Sequence, residues 1–225
     1  MKRLSSRASD PDPEAEGSGF VAACTVLAGP NGSGKSSLYD LLQPDGEFVN
    51  ADVIARASAL GQAEAARRTI ERLDDLLNGR KSFVYETTLS SHQAIALMGR
   101  ARAVGYEVGL VYVALVDADL NVRRVAERVS RGGHDIPEAT IRRRYPRALS
   151  NVARAVPLAH GSLFYDNSEP TPALLLRISD GVIEENNLKD ACAHHRPIAE
   201  AVARALSVDA DAIFRAAREG GAVRR

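Results

Sequence analysis

The chain has 225 residues, 45% of them hydrophobic and 26% charged, with a formal net charge of zero. That is enough to bury a substantial core, and the balanced charge gives no electrostatic case for nucleic acid or a membrane surface. Two cysteines, Cys24 and Cys192, exclude a disulfide framework and fit a reducing compartment. No apolar run reaches the roughly 18 residues that cross a bilayer, and no signal-peptide pattern opens the chain. The expectation is a soluble cytoplasmic protein.

Residues 1–19, MKRLSSRASDPDPEAEGSG, are polar and rich in Pro, Gly and Ser. Such a segment buries too little apolar surface to offset its ordering entropy, so a disordered N-terminal arm is predicted. Val21 to Ala28 then reads as a strand apolar on both faces, as in a parallel sheet covered by helices. It breaks at Gly29-Pro30-Asn31-Gly32-Ser33-Gly34 and resumes as a helix start at Lys35-Ser36-Ser37. The spacing Gly29-x-x-x-x-Gly34-Lys35-Ser36, with strand before and helix after, is that of a phosphate-binding loop. Its glycines let backbone N–H groups turn toward a phosphate, and the helix N-terminus adds partial positive charge. Lys35 supplies a point charge at the β- and γ-phosphates, and the Ser36 hydroxyl is placed to ligate Mg²⁺. Residues 29–37 are therefore the expected nucleotide site.

Gln43-Pro44-Asp45-Gly46 marks a turn, and Glu47 to Asn50 a short second strand that ends at Asn50-Ala51-Asp52. Residues 62–78 follow helical spacing and stop at Asn78-Gly79. Lys81 to Tyr85 reads as a third strand ending in Glu86-Thr87-Thr88, and Ser90 or Ser91 can cap a helix through Ala103. Glu107 to Val116, the longest apolar run, reads as a central strand, followed by a helix over 119–129. Pro137 suits the first turn of a helix carrying Ile141 to Ala155, in which Pro146 predicts a kink or break. Residues 163–168 read as a strand and turn, and 174–178 with 182–183 as a hairpin around Ser179-Asp180-Gly181. Beyond Asn186, two short helices over 197–206 and 209–217 form an extension without evident chemistry. There Cys192, His194 and His195 lack a fourth metal ligand at usable spacing and read as a solvated tail.

The alternation of strands and helices predicts a three-layer α/β domain with a mostly parallel sheet. In such sheets ligands gather at the carboxyl ends of the strands. Three acids lie there. Asp52 suits either a general base for phosphoryl transfer or a helix N-cap. Glu86 suits a substrate hydroxyl or a water-mediated approach to Mg²⁺, with Thr87 and Thr88 as donors to a polar substrate. Asp117 resembles a metal-binding acid but better fits the start of the next helix. Between Asn121 and Arg147 eight arginines face three acids, a local net charge of +5. Around Gly132-Gly133 this reads as a lid whose Arg128, Arg131, Arg143 and Arg144 stabilise a transferring phosphoryl group. His134 either touches phosphate or fixes the loop.

Taken together, GPNGSGKSSL, FVNADVIA, FVYETTLS, RVAERVSRGGHDIPEATIRRRYPRALSN and FYDNS resemble the zeta-toxin family of P-loop kinases, over roughly Phe20 to Ile183. The resemblance implies a P-loop kinase fold at 20–185 with an arginine-bearing helical lid, whereas the helical extension at 186–225 comes from the helical pattern of the sequence and has no counterpart in the family. The resemblance further implies a toxin that uses ATP and Mg²⁺ to phosphorylate the 3′-hydroxyl of UDP-N-acetylglucosamine and is held in check by an antitoxin. By motif, Lys35 and Ser36 would hold phosphate and Mg²⁺, and Asp52 would be the base. Asn50, Glu86, Thr87 and Thr88 would meet the sugar nucleotide. Arg131 and Arg144 match the charge-stabilising arginines best, with Arg128 and Arg143 as alternatives. Two other readings stay open: a kinase for another acceptor (nucleoside, antibiotic or RNA end), and a non-catalytic ATP-binding switch. No aromatic-interleaved basic face accompanies the arginines, so nucleic acid is not an expected partner.

Overall fold

A computed structural model describes residues 21–58, 61–219 and 223–224. The predicted N-terminal arm lies outside the described residues. Five parallel strands form one side of an eight-stranded sheet. They are β1 (Ala23–Ala28), β2 (Glu47–Val49), β3 (Phe83–Thr87), β4 (Glu107–Ala114) and β5 (Gly161–Asp166). Three antiparallel strands extend it: β6 (Ala173–Ser179), β7 (Val182–Asn186) and the two-residue β8 (Val223–Arg224). The strand order is β2-β3-β1-β4-β5-β6-β7-β8, so the long apolar run does lie centrally, directly beside the strand that feeds the phosphate loop. The predicted hairpin is β6–β7, turning at Asp180 and Gly181, both with positive φ.

Side-chain alternation along the strands divides the core between two faces. Cys24, Val26, Phe83, Tyr85, Val108, Leu110, Tyr112 and Phe164 point to one face and join the main apolar cluster. That face is covered by α3 (Gln62–Asn78), α4 (Gln93–Ala103), α6 (Glu138–Ala155), α7 (His195–Leu206) and α8 (Ala210–Glu219). Leu27, Val84, Val111 and Val113 point to the other face, where α1 (Lys35–Leu42) lays Leu38, Tyr39 and Leu42 against them. The segment beyond Asn186 is thus not a detached tail. Ile198, Val202, Leu206, Ile213 and Phe214 are buried in the same cluster as the sheet. The remaining helices, α2 (Ala51–Ser58) and α5 (Ala118–Ser130), stand at the carboxyl ends of β2 and β4.

Three local expectations need correction. The third strand runs two residues further than read, so Glu86 and Thr87 sit on β3 itself, opposite Leu27 and Ala28. Neither Ser90 nor Ser91 caps α4, which starts at Gln93 with His92 at its N-cap and no side-chain capping bond. Pro146 does not break α6, which is continuous over 18 residues. Pro146 lies on the exposed face, where water can satisfy the carbonyl that its missing N–H leaves free. The helix α2 and a 3-10 turn at Val156–Leu158 are additions the sequence did not announce.

Candidate active site

The loop from Gly29 to Gly34 bends between β1 and α1 with positive φ at Gly29, Gly32 and Gly34. Gly34, at φ 84, leads into α1, and a Cβ there would collide with the side-chain amide of Asn167. That collision marks a designed contact. Asn167 Nδ2 donates to the Ser33 carbonyl at 2.8 Å, and Asn121 Nδ2 donates to the Asn31 carbonyl at 2.6 Å. Arg124 in turn fixes the turn carrying Asn167, donating to the Asn167 and Ser168 carbonyls at 2.7 and 3.1 Å. Two asparagines and an arginine therefore hold the phosphate loop from α5 and from the end of β5.

Lys35 is buried at the start of α1. Its Nζ donates to the Gly29 and Pro30 carbonyls at 2.9 and 3.1 Å and lies 3.8 Å from the Glu86 carboxylate. Burial lowers its pKa below the ordinary lysine value. Glu86 and Asp52 oppose that shift, whereas Arg128 and Arg144 add to it. Ser36 Oγ donates to the other Glu86 oxygen at 3.2 Å. A hydroxyl and a carboxylate meeting beside a phosphate loop are hard oxygen donors, and this pair fits Mg²⁺. Ser37 is exposed and does not line the cavity.

In front of the loop opens a cavity of about 600 Å³. Its rim carries Asn31 and Lys35 from the loop side and Asp52 from α2. It also carries Glu86, Thr87 and Thr88 from the end of β3, and Arg128, Arg143 and Arg144 from the helical arm. Asn50, not Asp52, caps α2: its Oδ1 accepts from the Asp52 and Val53 amides at 2.6 and 3.2 Å. Asn50 accordingly spends its side-chain oxygen on the helix and offers the cavity only its NH₂ group. Asp52, relieved of that duty, presents a carboxylate with no hydrogen bond among the described residues. Thr87 Oγ1 accepts from the Leu89 amide at 3.2 Å, and Thr88 shares a 2.8 Å hydrogen bond with Ser90. Leu89, buried at φ 55, is held by Asn151 Nδ2 on its carbonyl at 2.8 Å.

The arginines divide by function. Arg128 Nη2 donates to the His134 carbonyl at 2.8 Å, which pins the Gly132-Gly133 loop back on α5, while its Nε is buried without a partner. An orphaned guanidinium donor on the cavity wall fits an anionic ligand. Arg144 Nη1 donates to the Asn31 side-chain oxygen at 3.2 Å, which joins α6 to the phosphate loop. Arg143 lines the cavity and has no partner among the described residues. Arg131 is placed elsewhere: it is exposed at the C-cap of α5 and outside the cavity. Arg142 is committed to Asp119 and Glu138 at 2.6 and 2.7 Å. Asp117 caps α5 by accepting from the Leu120 amide at 2.7 Å, its helix-start reading. Asn121, Asn167 and Arg124 carried no assignment from the sequence. FYDNS stood out as a stretch, but nothing local to it pointed at Ser33.

Comparison with known proteins agrees with this geometry. The pattern of the AAA domain family matches residues 25–147. An uncharacterized protein of Haemophilus influenzae is 30% identical over 123 residues, which is 52% of this chain and 88% of that protein. Among solved structures, the AvrRxo1-ORF1:AvrRxo1-ORF2 complex with sulphate ions superposes with a TM-score of 0.62 at 16% identity, covering 90% of this chain and 77% of that one. The same complex with ATP gives 0.58 at 15%, over 72% of this chain, which spans only 60% of its counterpart there. The PezAT chromosomal toxin–antitoxin system of Streptococcus pneumoniae gives 0.51 at 12%, covering 72% of each chain. These likenesses establish a P-loop NTPase-like fold. Among the described residues no helix is long and apolar enough to cross a membrane. With the loop, the helix after it, most of the strand before it and the cavity-lining arginines inside the matched region, the chain belongs to the AAA domain family of P-loop proteins.

Proposed function

We propose that this protein is an ATP-dependent kinase that transfers the γ-phosphoryl group to a hydroxyl of a UDP-amino sugar, the 3′-hydroxyl of UDP-N-acetylglucosamine. In this reading it acts in the cytoplasm as the toxin of a toxin–antitoxin pair. One observation carries the catalytic part: the Asp52 carboxylate, without a hydrogen bond among the described residues, shares a single cavity with the buried Lys35 and three arginines. A nucleotide-binding switch has no use for a free acid opposite its phosphate loop. In the reaction, Asp52 accepts the proton of the acceptor hydroxyl as its oxygen attacks the γ-phosphorus. The new O–P bond forms as the bond to the β–γ bridging oxygen breaks, and ADP leaves. Lys35, Arg128 and Arg144 meet the negative charge spread over the phosphoryl oxygens. Ser36 and Glu86 would hold Mg²⁺, which would supply charge neutralisation to the phosphates. Arg143, without a partner among the described residues, is available to the acceptor diphosphate, and Thr87 and Thr88 to its hydroxyls.

The toxin reading rests on the resemblance of the ordered motifs and on the fold shared with the PezAT system. A protein antitoxin is the partner it implies. The neutral lining from Thr87, Thr88, Ser90, Ser91 and Gln93 also suits other polyhydroxy acceptors, and a kinase for one of them is the second reading. Incubation of the purified protein with γ-labelled ATP and a panel of UDP-sugars, nucleosides and aminoglycosides tests both. Label on UDP-N-acetylglucosamine supports the first, label on another hydroxyl compound the second, and label on none contradicts the kinase assignment.

A further inference from the structure

A second cavity, of about 550 Å³, opens between the start of α5, the turn after β5 and the segment leading into α7. Asp166 ends β5, and His194 and His195 stand where α7 begins. Their donor atoms all lie within 4.8 Å of one another, and Cys192 lines the same cavity with a free, half-buried thiol. His194 Nε2 is 2.7 Å from Asp166 Oδ2, an ordinary hydrogen bond. His195 Nε2 is 3.7 Å from the same oxygen, beyond hydrogen-bond reach, although the side chain is only 5% exposed. The ring of His195 is fixed from its far side, where Nδ1 accepts from the Lys189 amide at 2.9 Å. Nε2 is thus the nitrogen turned toward the carboxylate. Two nitrogen or oxygen ligands of a tetrahedral ion, each at about 2.0–2.1 Å, stand about 3.3 Å apart. The observed 2.7 and 3.7 Å bracket that value.

We propose that Asp166, His194 and His195 bind a divalent transition-metal ion of the Zn²⁺ type, with water as the fourth donor. Two imidazoles and a carboxylate are a ligand set such ions select, whereas Mg²⁺ and Ca²⁺ favour oxygen alone. On binding, each imidazole carries its remaining proton at Nδ1, and the Lys189 amide gives up its acceptor there. The site is structural rather than catalytic, since it lies outside the cavity of Asp52 and Lys35. Its position gives it reach: Asn167, the next residue after Asp166, holds the Ser33 carbonyl of the phosphate loop. A metal here would pin α7 to the strand end that supports that loop.

The full chain, stripped with a chelator and dialysed, is titrated with Co²⁺ and then Zn²⁺. The expected result is one equivalent bound, visible Co²⁺ absorption bands that Zn²⁺ abolishes, and a melting temperature raised by several degrees. His194→Gln, at a partly exposed position, is expected to weaken binding about tenfold or more with an unchanged far-UV spectrum. Absence of stoichiometric binding to the wild-type protein overturns the proposal, as does unchanged binding in the double variant His194→Gln, His195→Gln. Neither outcome touches the kinase reading, which phosphoryl transfer by the metal-stripped protein supplied with Mg²⁺ tests separately.

Discussion

Asn167 shows how much of this site depends on single side chains far apart in the chain. Its amide holds the phosphate loop across 134 residues and Asn121 does so across 90. Replacing Asn167 with Ala leaves the Ser33 carbonyl without its partner, a loss of about 1–2 kcal/mol. ATP binding by calorimetry is expected to weaken roughly tenfold while the far-UV spectrum stays native. The arginines give a sharper contrast: Arg144→Gln is expected to lower kcat at least tenfold, whereas exposed Arg131→Gln leaves it unchanged in the same transfer assay. The two thiols also differ. Burial pushes the Cys24 thiol up to about 12, so only Cys192 is expected to react with a thiol reagent in the native protein, and both after denaturation. A second fast equivalent would contradict the buried position of β1. Gly29, Gly34, Lys35 and Ser36 were legible because their chemistry is local, fixed by spacing within eight residues. Asn121, Asn167 and Arg124 were not, because a polar residue at a strand end or on a helix reveals no partner 43 to 134 positions away. Arg131 was misplaced for a related reason. Spacing along α5 does not tell which arginines turn inward.

At the scale of elements, the parallel strands and the long amphipathic helices were readable from apolar runs and helical periodicity. Their ends were less so, because caps are settled by tertiary contacts as much as by residue type. Asn50 rather than Asp52 caps α2, and that exchange is what leaves Asp52 open to the cavity. Pro146 is the reverse case, a strong local signal that packing overrides. Ala148, Val152 and Ala155 bury the opposite face of α6 and hold the helix through the proline. Pro146→Ala restores a backbone donor in an exposed helix interior and is expected to stabilise the protein by about 1–3 kcal/mol. The urea midpoint checks this, and a lower midpoint would mean that the proline is compatible with the helix and restrains the unfolded chain instead.

For the molecule as a whole, the segment after Asn186 completes the core of the sheet rather than decorating it. Ile198, Val202, Leu206, Ile213 and Phe214 are buried against β-strands and α6, each worth about 1.5–3 kcal/mol of burial. Truncation after Asn186 removes burial comparable to the whole stability margin of a typical domain, about 5–15 kcal/mol. The shortened chain is expected to lose its cooperative thermal transition, and retention of a native-like transition with ATP binding would contradict that packing. The central assignment, a phosphoryl-transfer site with Asp52 as its base, is tested most directly by single-turnover transfer. Label from γ-labelled ATP to UDP-N-acetylglucosamine is followed in wild type and Asp52→Asn, with ATP affinity measured in parallel. The account predicts transfer by the wild type, a drop of roughly 10²–10⁴ in the transfer rate for Asp52→Asn, and unchanged ATP binding. Equal transfer rates in the two proteins would contradict it.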